Sequence, residues 1–201
     1  MYMEKIILQD KLVVFLILLV SFAAIFSSAT FYALSPRASQ PLMAMGIYSR
    51  TGLLGYTVPA TNSSVTSGDR LNWTLSVTND MGSAQFVMII ARMANSTFPS
   101  SNSSTPSTFP EIVAPERFVG DGETSNIGFN WALQSVTPQS GGRLLLNLDV
   151  EGKPVVITGD SFRWIFELWT YDLVCGCFHY GYGPQNGSTG VWLQVWFNPS
   201  G

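Results

Sequence analysis

Between positions 71 and 78 the chain alternates with a period of two. Leu71, Trp73, Leu75 and Val77 fall on one side, and Asn72, Thr74, Ser76 and Thr78 on the other. Such alternation predicts a strand with one face in a core and one in water. The run 85–94, QFVMIIARMA, is apolar on both faces and predicts a central strand, after a turn at 79–82 and before a serine-rich stretch. Further on, Phe129, Trp131 and Leu133 alternate, and Leu144, Leu146, Leu148 and Val150 share one face. A turn at 151–154 then leads into Val155, Val156 and Ile157 as a hairpin. Two aromatic strands, 162–171 and 191–197, are expected to pair across the loop between them. About seven to nine strands, with no helical periodicity after residue 34, predict an all-β, immunoglobulin-like β-sandwich. The Cys-Trp-Cys spacing of antibody domains is missing, so the term describes architecture alone.

The N-terminal part has a different pattern. Residues 12–34 carry no charge, and at 1.5 Å per residue a helix of that length crosses a bilayer. Residues 12–26 also suit the apolar core of a signal peptide, with Ser27, Ser28 and Ala29 as a small-residue cleavage site. A retained transmembrane helix is the favoured expectation, because the apolar run continues to Leu34 and Tyr32 sits where interfacial aromatics lie. Lys5 and Lys11 precede the span and Arg37 follows it. The expected topology is therefore single-pass in the cell membrane, with residues 1–11 cytoplasmic, 12–34 in contact with lipid, 35–44 a linker and 45–201 an extracellular sandwich.

Composition agrees with an exported β-domain. Only 11% of residues are charged and the net charge is −3, with basic residues scattered singly, so the electrostatic footprint for nucleic acid is missing. Five Asn-x-Ser/Thr sequons, at Asn62, Asn72, Asn95, Asn102 and Asn186, all follow the span, and each is a glycosylation candidate. Residues 95–110, NSTFPSSNSSTPSTFP, are too polar to offset their ordering entropy by burial and are expected to form a mobile external loop.

Candidate chemistry concentrates at 173–183, LVCGCFHYGYG, which holds both cysteines and the sole histidine. In an extended strand Cα atoms two apart are separated by roughly 6.6 Å and four apart by roughly 13 Å. A straight Cys175-x-Cys177-x-His179 segment therefore cannot place all three side chains on one metal, and zinc or copper binding requires a curl at Gly176 and a further ligand. A Cys175–Cys177 disulfide requires the same tightening at Gly176 and encloses almost no loop. Local disulfide, separate thiols and metal site all remain open at this level. One histidine excludes His-rich metal centres, and phosphate-loop and dinucleotide fingerprints are missing. Asp121 and Glu123, within 120–124, offer too few oxygens for calcium. Nothing in the sequence calls for a cofactor or a catalytic residue. Trp192 and Trp196 share a face of the last strand and form a possible aromatic binding surface for sugar or protein.

The segments MGIYSRTGLLGYTVP (45–59), SGDRLNWTLSVTNDMGSAQFVMIIARMANST (67–97), GDGETSNIGFNWAL (120–133), FRWIFELWTYD (162–172) and VWLQVWFN (191–198), in this order behind a membrane span, resemble a family of archaeal membrane-anchored surface proteins known as domain of unknown function 1616. The resemblance covers residues 42–198 and implies a β-sandwich at the archaeal cell surface, with no activity to transfer. The expectation is a non-enzymatic structural or protein-interaction module of the envelope. The alternatives are an accessory subunit of a membrane enzyme complex, with a metal or redox role for Cys175, Cys177 and His179, and a carbohydrate-binding module.

Overall fold

The period-two runs become the strands of a computed structural model that describes residues 13–16, 18–27, 30, 41–49, 52–53, 64–96, 99–183 and 188–201. The chain forms two units, Met1–Ser39 and Gln40–Gly201. In the first, residues 13–16 and 18–27 are helical, with Val14, Phe22 and Phe26 exposed. Among the described residues no helix is long and apolar enough to cross a membrane. The remainder of the 12–34 run falls outside the described residues, except Thr30.

In the second unit the described residues form twelve strands: β1 (Leu42–Ser49), β2 (Gly52–Leu53), β3 (Ser64–Thr66), β4 (Arg70–Asp80), β5 (Gln85–Asn95), β6 (Glu116–Val119), β7 (Glu123–Pro138), β8 (Leu144–Val150), β9 (Lys153–Gly159), β10 (Phe162–Asp172), β11 (Cys177–Tyr180) and β12 (Val191–Ser200). They divide into two sheets. One has the order β2-β1-β4-β7-β8-β9, and the other runs β3-β12-β10-β5-β6 with β11 also paired to β10. Among these named strands every pairing is antiparallel except β3 with β12.

The two sheets face each other across a single aromatic core, which makes the unit a β-sandwich. From the first sheet come Trp73, Leu75 and Val77 of β4 and Ile127, Phe129 and Trp131 of β7; from the second come Phe162, Trp164, Phe166 and Leu168 of β10 with Val195 and Phe197 of β12. Inward residues two apart on each strand meet those of the facing sheet, as the pleat requires. The turn read at 151–154 forms on its first two residues, with Glu151 and Gly152 both at positive φ (51° and 77°), the conformation that two-residue hairpin loops favour, while Lys153 and Pro154 already pair with Val150 and Asp149 in β9.

Three expectations change. The stretch read as a linker to residue 44 is strand from Leu42, because Met43 and Ile47 bury their side chains in the core. The 79–82 turn starts later, since β4 runs to Asp80, and Asn79 is fully buried at the corner where the chain passes between sheets. Its amide nitrogen donates to the carbonyls of Ser83, Val119 and Gly120, and its Oδ1 accepts from the Met81 amide. Finally, the polar 99–110 stretch lies folded against the outer face of the second sheet, as described next.

Candidate functional site

Central strand β10 is buried on both faces over most of its length. Its even-numbered residues from Phe162 to Leu168 point into the sandwich, so Arg163, Ile165, Glu167 and Trp169 point outward. The outward Glu167 is nevertheless fully buried, because the 99–110 segment covers it. Oε2 of Glu167 accepts from Arg92 Nε on β5 at 3.0 Å and from Trp169 Nε1 at 3.4 Å. Oε1 accepts from the Ser101 hydroxyl at 2.6 Å and from the Ser107 backbone amide. Arg92 also donates to the Phe109 carbonyl, and Phe109 packs with Ala94 and Ile165 in a small second core. The loop is further tied by Tyr180, whose hydroxyl donates to Asn102 O at 2.8 Å, and by the Gly190 amide on Ser103 O. A buried carboxylate with four donors is satisfied, and two of those donors, the Ser101 hydroxyl and the Ser107 amide, tie the loop to the sheet.

Burial, and then the charge of Glu167, push the Tyr180 phenol well above the usual tyrosine range. The unfolded chain therefore ionises this group first. Its contribution to stability is complete below a pH of about 10 and is lost as pH rises from there toward the folded-state value. We expect Tyr180→Phe to flatten this alkaline decline relative to the parent, measured by urea unfolding at a series of pH values.

Among the described residues of this unit, the most exposed large apolar side chains lie at the far end of β10. Phe118 of β6, Phe86 of β5, Tyr171 of β10 and Phe178 of β11 form a row across four adjacent strands, with ring centroids 4.5 Å apart for Phe86–Phe118, 5.3 Å for Phe86–Phe178 and 5.2 Å for Tyr171–Phe178. Phe118 is 77% exposed, and the neighbouring turn residues Leu173 and Val174 are 90% and 96% exposed. A groove of about 810 Å³ runs along this end, lined among others by Met81, Phe86, Phe118, Tyr171, Leu173 and His179.

The 173–176 turn that closes the β10–β11 hairpin is built by Asp172. Its side chain accepts from the Val174 amide at 2.7 Å and its carbonyl from the Gly176 amide at 2.9 Å. Gly176 takes φ +65°, which the missing Cβ permits, and Cα atoms 175 and 177 draw together to 5.3 Å. At that spacing Cys175 and Cys177 are joined by a disulfide, S–S 2.04 Å, with both residues exposed. The curl at Gly176 that the sequence demands is thus present, and it serves a sulfur–sulfur bond.

The metal constellation is not assembled. Both thiols are consumed by the disulfide, and His179 faces Thr170 on β10, with Nε2 3.1 Å from Oγ1. Thr170 gives its only hydroxyl proton to Gly181 O at 2.7 Å, so His179 Nε2 must be the protonated donor. Among the described residues no group of histidine, cysteine and carboxylates is arranged to hold a metal ion. Asp121 and Glu123 are likewise occupied, accepting from the Gly82 and Gly120 amides.

The other candidates separate in the same way. Trp192 and Trp196 are half-buried on the outer face of β12, and the Arg163 guanidinium lies 4.6 Å from the Trp196 ring centroid, covering one face of the ring. Asn72 is exposed on β4 and Asn102 is exposed in the loop, as glycan attachment requires. Asn95 is a correction: it is 7% exposed, and its amide nitrogen donates to Thr158 O at 3.0 Å. Its position in the last residue of β5 opposite Phe162 directs it inward. Asn62 and Asn186 lie outside the described residues.

No family model and no curated protein matches the chain. Among solved structures it is similar to a CARDB domain from Pyrococcus furiosus, solved in complex with di-metal ions, at 11% identity and a TM-score of 0.38, covering 79% of this chain and 89% of that one. It is also similar to a β-glucosidase from Listeria innocua, solved with glucose, at 9% identity and a TM-score of 0.36, covering 83% of this chain and 17% of that one.

Proposed function

We propose that the chain is a membrane-anchored, extracytoplasmic protein-interaction module of immunoglobulin-like architecture, held by residues 12–34 and presenting the apolar end of its sandwich to a protein partner in the archaeal envelope. The observation that carries this reading is the cluster of Phe118, Leu173 and Val174, each more than three-quarters exposed beside the Phe86–Tyr171–Phe178 row. The hydrogen-bonded turn and the paired strand already fix the backbone beneath these side chains, so contact costs little backbone ordering, which favours association. The uncharged 12–34 run supports the anchor, and the segments that resemble the archaeal surface family in their order support the compartment.

Full-length protein in native membranes tests both halves. The anchor predicts retention in the membrane after alkaline extraction, with the sandwich open to added protease from outside; release by alkaline wash overturns it. For the contact surface, a photo-crosslinker at Val174 is expected to trap one discrete partner band, and a crosslinker at exposed Val156 on β9 is not. Adding Phe118→Ser and Leu173→Ser should abolish that band while leaving the unfolding curve unchanged. A band that survives both substitutions removes the support for this surface.

A further inference from the structure

We propose that the Cys175–Cys177 bond is a thiol–disulfide exchange site whose substrates are dithiol or disulfide groups of partner polypeptides. This goes beyond the interaction module and does not depend on the membrane anchor.

Four observations lead to it. The bond is exposed at the tip of the hairpin, open to an attacking thiolate. It encloses a single residue, Gly176, so closing it removes very little freedom from the unfolded chain and contributes little to stability. The turn that carries it is held independently, by the Asp172 side chain on the Val174 amide, the Asp172 carbonyl on the Gly176 amide and the pairing of Asp172 with Cys177. Opening the bond therefore leaves the two sulfurs close together and ready to re-form it. Lastly, Leu173 and Val174 flank it with bare apolar surface, on which an extended polypeptide bearing a reactive thiol can rest.

The exchange balances with a dithiol as the reductant. One donor thiolate attacks a sulfur of the pair, forming a mixed disulfide and releasing the other sulfur as a thiolate, which takes up a proton. The donor's second thiolate then attacks the mixed disulfide, releasing the remaining protein sulfur, which is protonated in turn. Two electrons and two protons pass from the donor, which leaves as a disulfide, to the Cys175–Cys177 pair. The reverse sequence oxidises a partner dithiol.

Because the chain has only two cysteines, thiol counting reports this pair alone. Full-length protein in detergent is equilibrated with mixtures of reduced and oxidised glutathione, and thiols are counted by a maleimide mass tag. The expected result is a titration from no tags to two within the glutathione range, with the far-ultraviolet dichroism and the urea midpoint the same in both forms. Cys175→Ser and Cys177→Ser should each trap one glutathione. A pair that stays oxidised in reduced glutathione and opens only in denaturant is a structural staple, and overturns the proposal. So does a urea midpoint that collapses on reduction. Substrate class is read with a synthetic disulfide peptide as the probe: Leu173→Ser with Val174→Ser is expected to slow its exchange with the reduced protein while exchange with oxidised glutathione keeps its rate. Equal peptide rates in parent and variant overturn the assignment of polypeptides as substrate.

Discussion

Replacing Glu167 with alanine is expected to destabilise the sandwich by about 3–5 kcal/mol, the range for removing one partner of a buried ion pair. The Arg92 guanidinium, whose side chain is 11% exposed, loses its carboxylate, and the Ser107 amide and Ser101 hydroxyl lose their acceptor at the same time. Two of those groups belong to the 99–110 segment, so the loop should detach before the sheets separate. Limited proteolysis is then expected to cut within 99–110 in Glu167→Ala under conditions where the parent is resistant, and urea unfolding should give the overall loss. Exchanging the pair together, Glu167→Leu with Arg92→Met, removes the unpaired charge and is expected to recover much of the stability. The loop should remain cleavable in the double variant, because Ser101 and Ser107 still have no acceptor there. If Glu167→Ala unfolds like the parent and its loop resists protease, the carboxylate does not hold the loop.

This network explains which parts of the molecule were legible in the sequence. Strands β4, β7 and β8 are carried by their own apolar alternation, which the buried Trp73, Leu75 and Val77 follow although Ser76 between them is buried too, and β5, β10 and β12 by apolar or aromatic runs of strand length. The hairpin pairing of β8 with β9 follows from adjacent runs and a short turn, and the pairing of β10 with β12 from two aromatic runs that meet across the 173–190 segment. The 99–110 loop was not legible, because its order comes from partners distant in sequence, Glu167, Arg92, Tyr180 and Gly190, and from one phenylalanine, Phe109, against a low-complexity background. No periodicity marks a single outward-facing Glu167 within FRWIFELWTY as a buried charge. The apolar end was hidden for a similar reason. Phe86, Phe118, Tyr171 and Phe178 come from four strands, and only register aligns them. At the hairpin tip, by contrast, spacing arithmetic located the need for a curl at Gly176, and the remaining choice between disulfide and metal depended on where His179 points.

Phe129→Ala is expected to cost about 3–5 kcal/mol, the usual range for truncating a buried aromatic side chain. Phe129 is 1% exposed and belongs to the first sheet, yet its ring meets Trp164 at 4.9 Å and Phe166 at 5.0 Å, both edge-to-face from the second. It also stacks with Trp73 beside it at 6.1 Å. Truncation opens a cavity where the two sheets are joined, and three bulky rings cannot all shift to fill it without displacing one another. For a unit of this size the loss corresponds to a melting temperature lower by about 10 °C. Phe129→Leu keeps most of the volume and should recover most of the loss. The matched control is Phe118→Ala, which removes the same ring from a position 77% exposed to solvent and is expected to change stability by no more than about 0.5 kcal/mol. The same ring is lost in the two alanine variants, one from the core and one from an exposed contact with Phe86, so the gap between their midpoints measures chiefly what burial in the inter-sheet stack contributes. Equal midpoints would mean that the sheets are held together elsewhere.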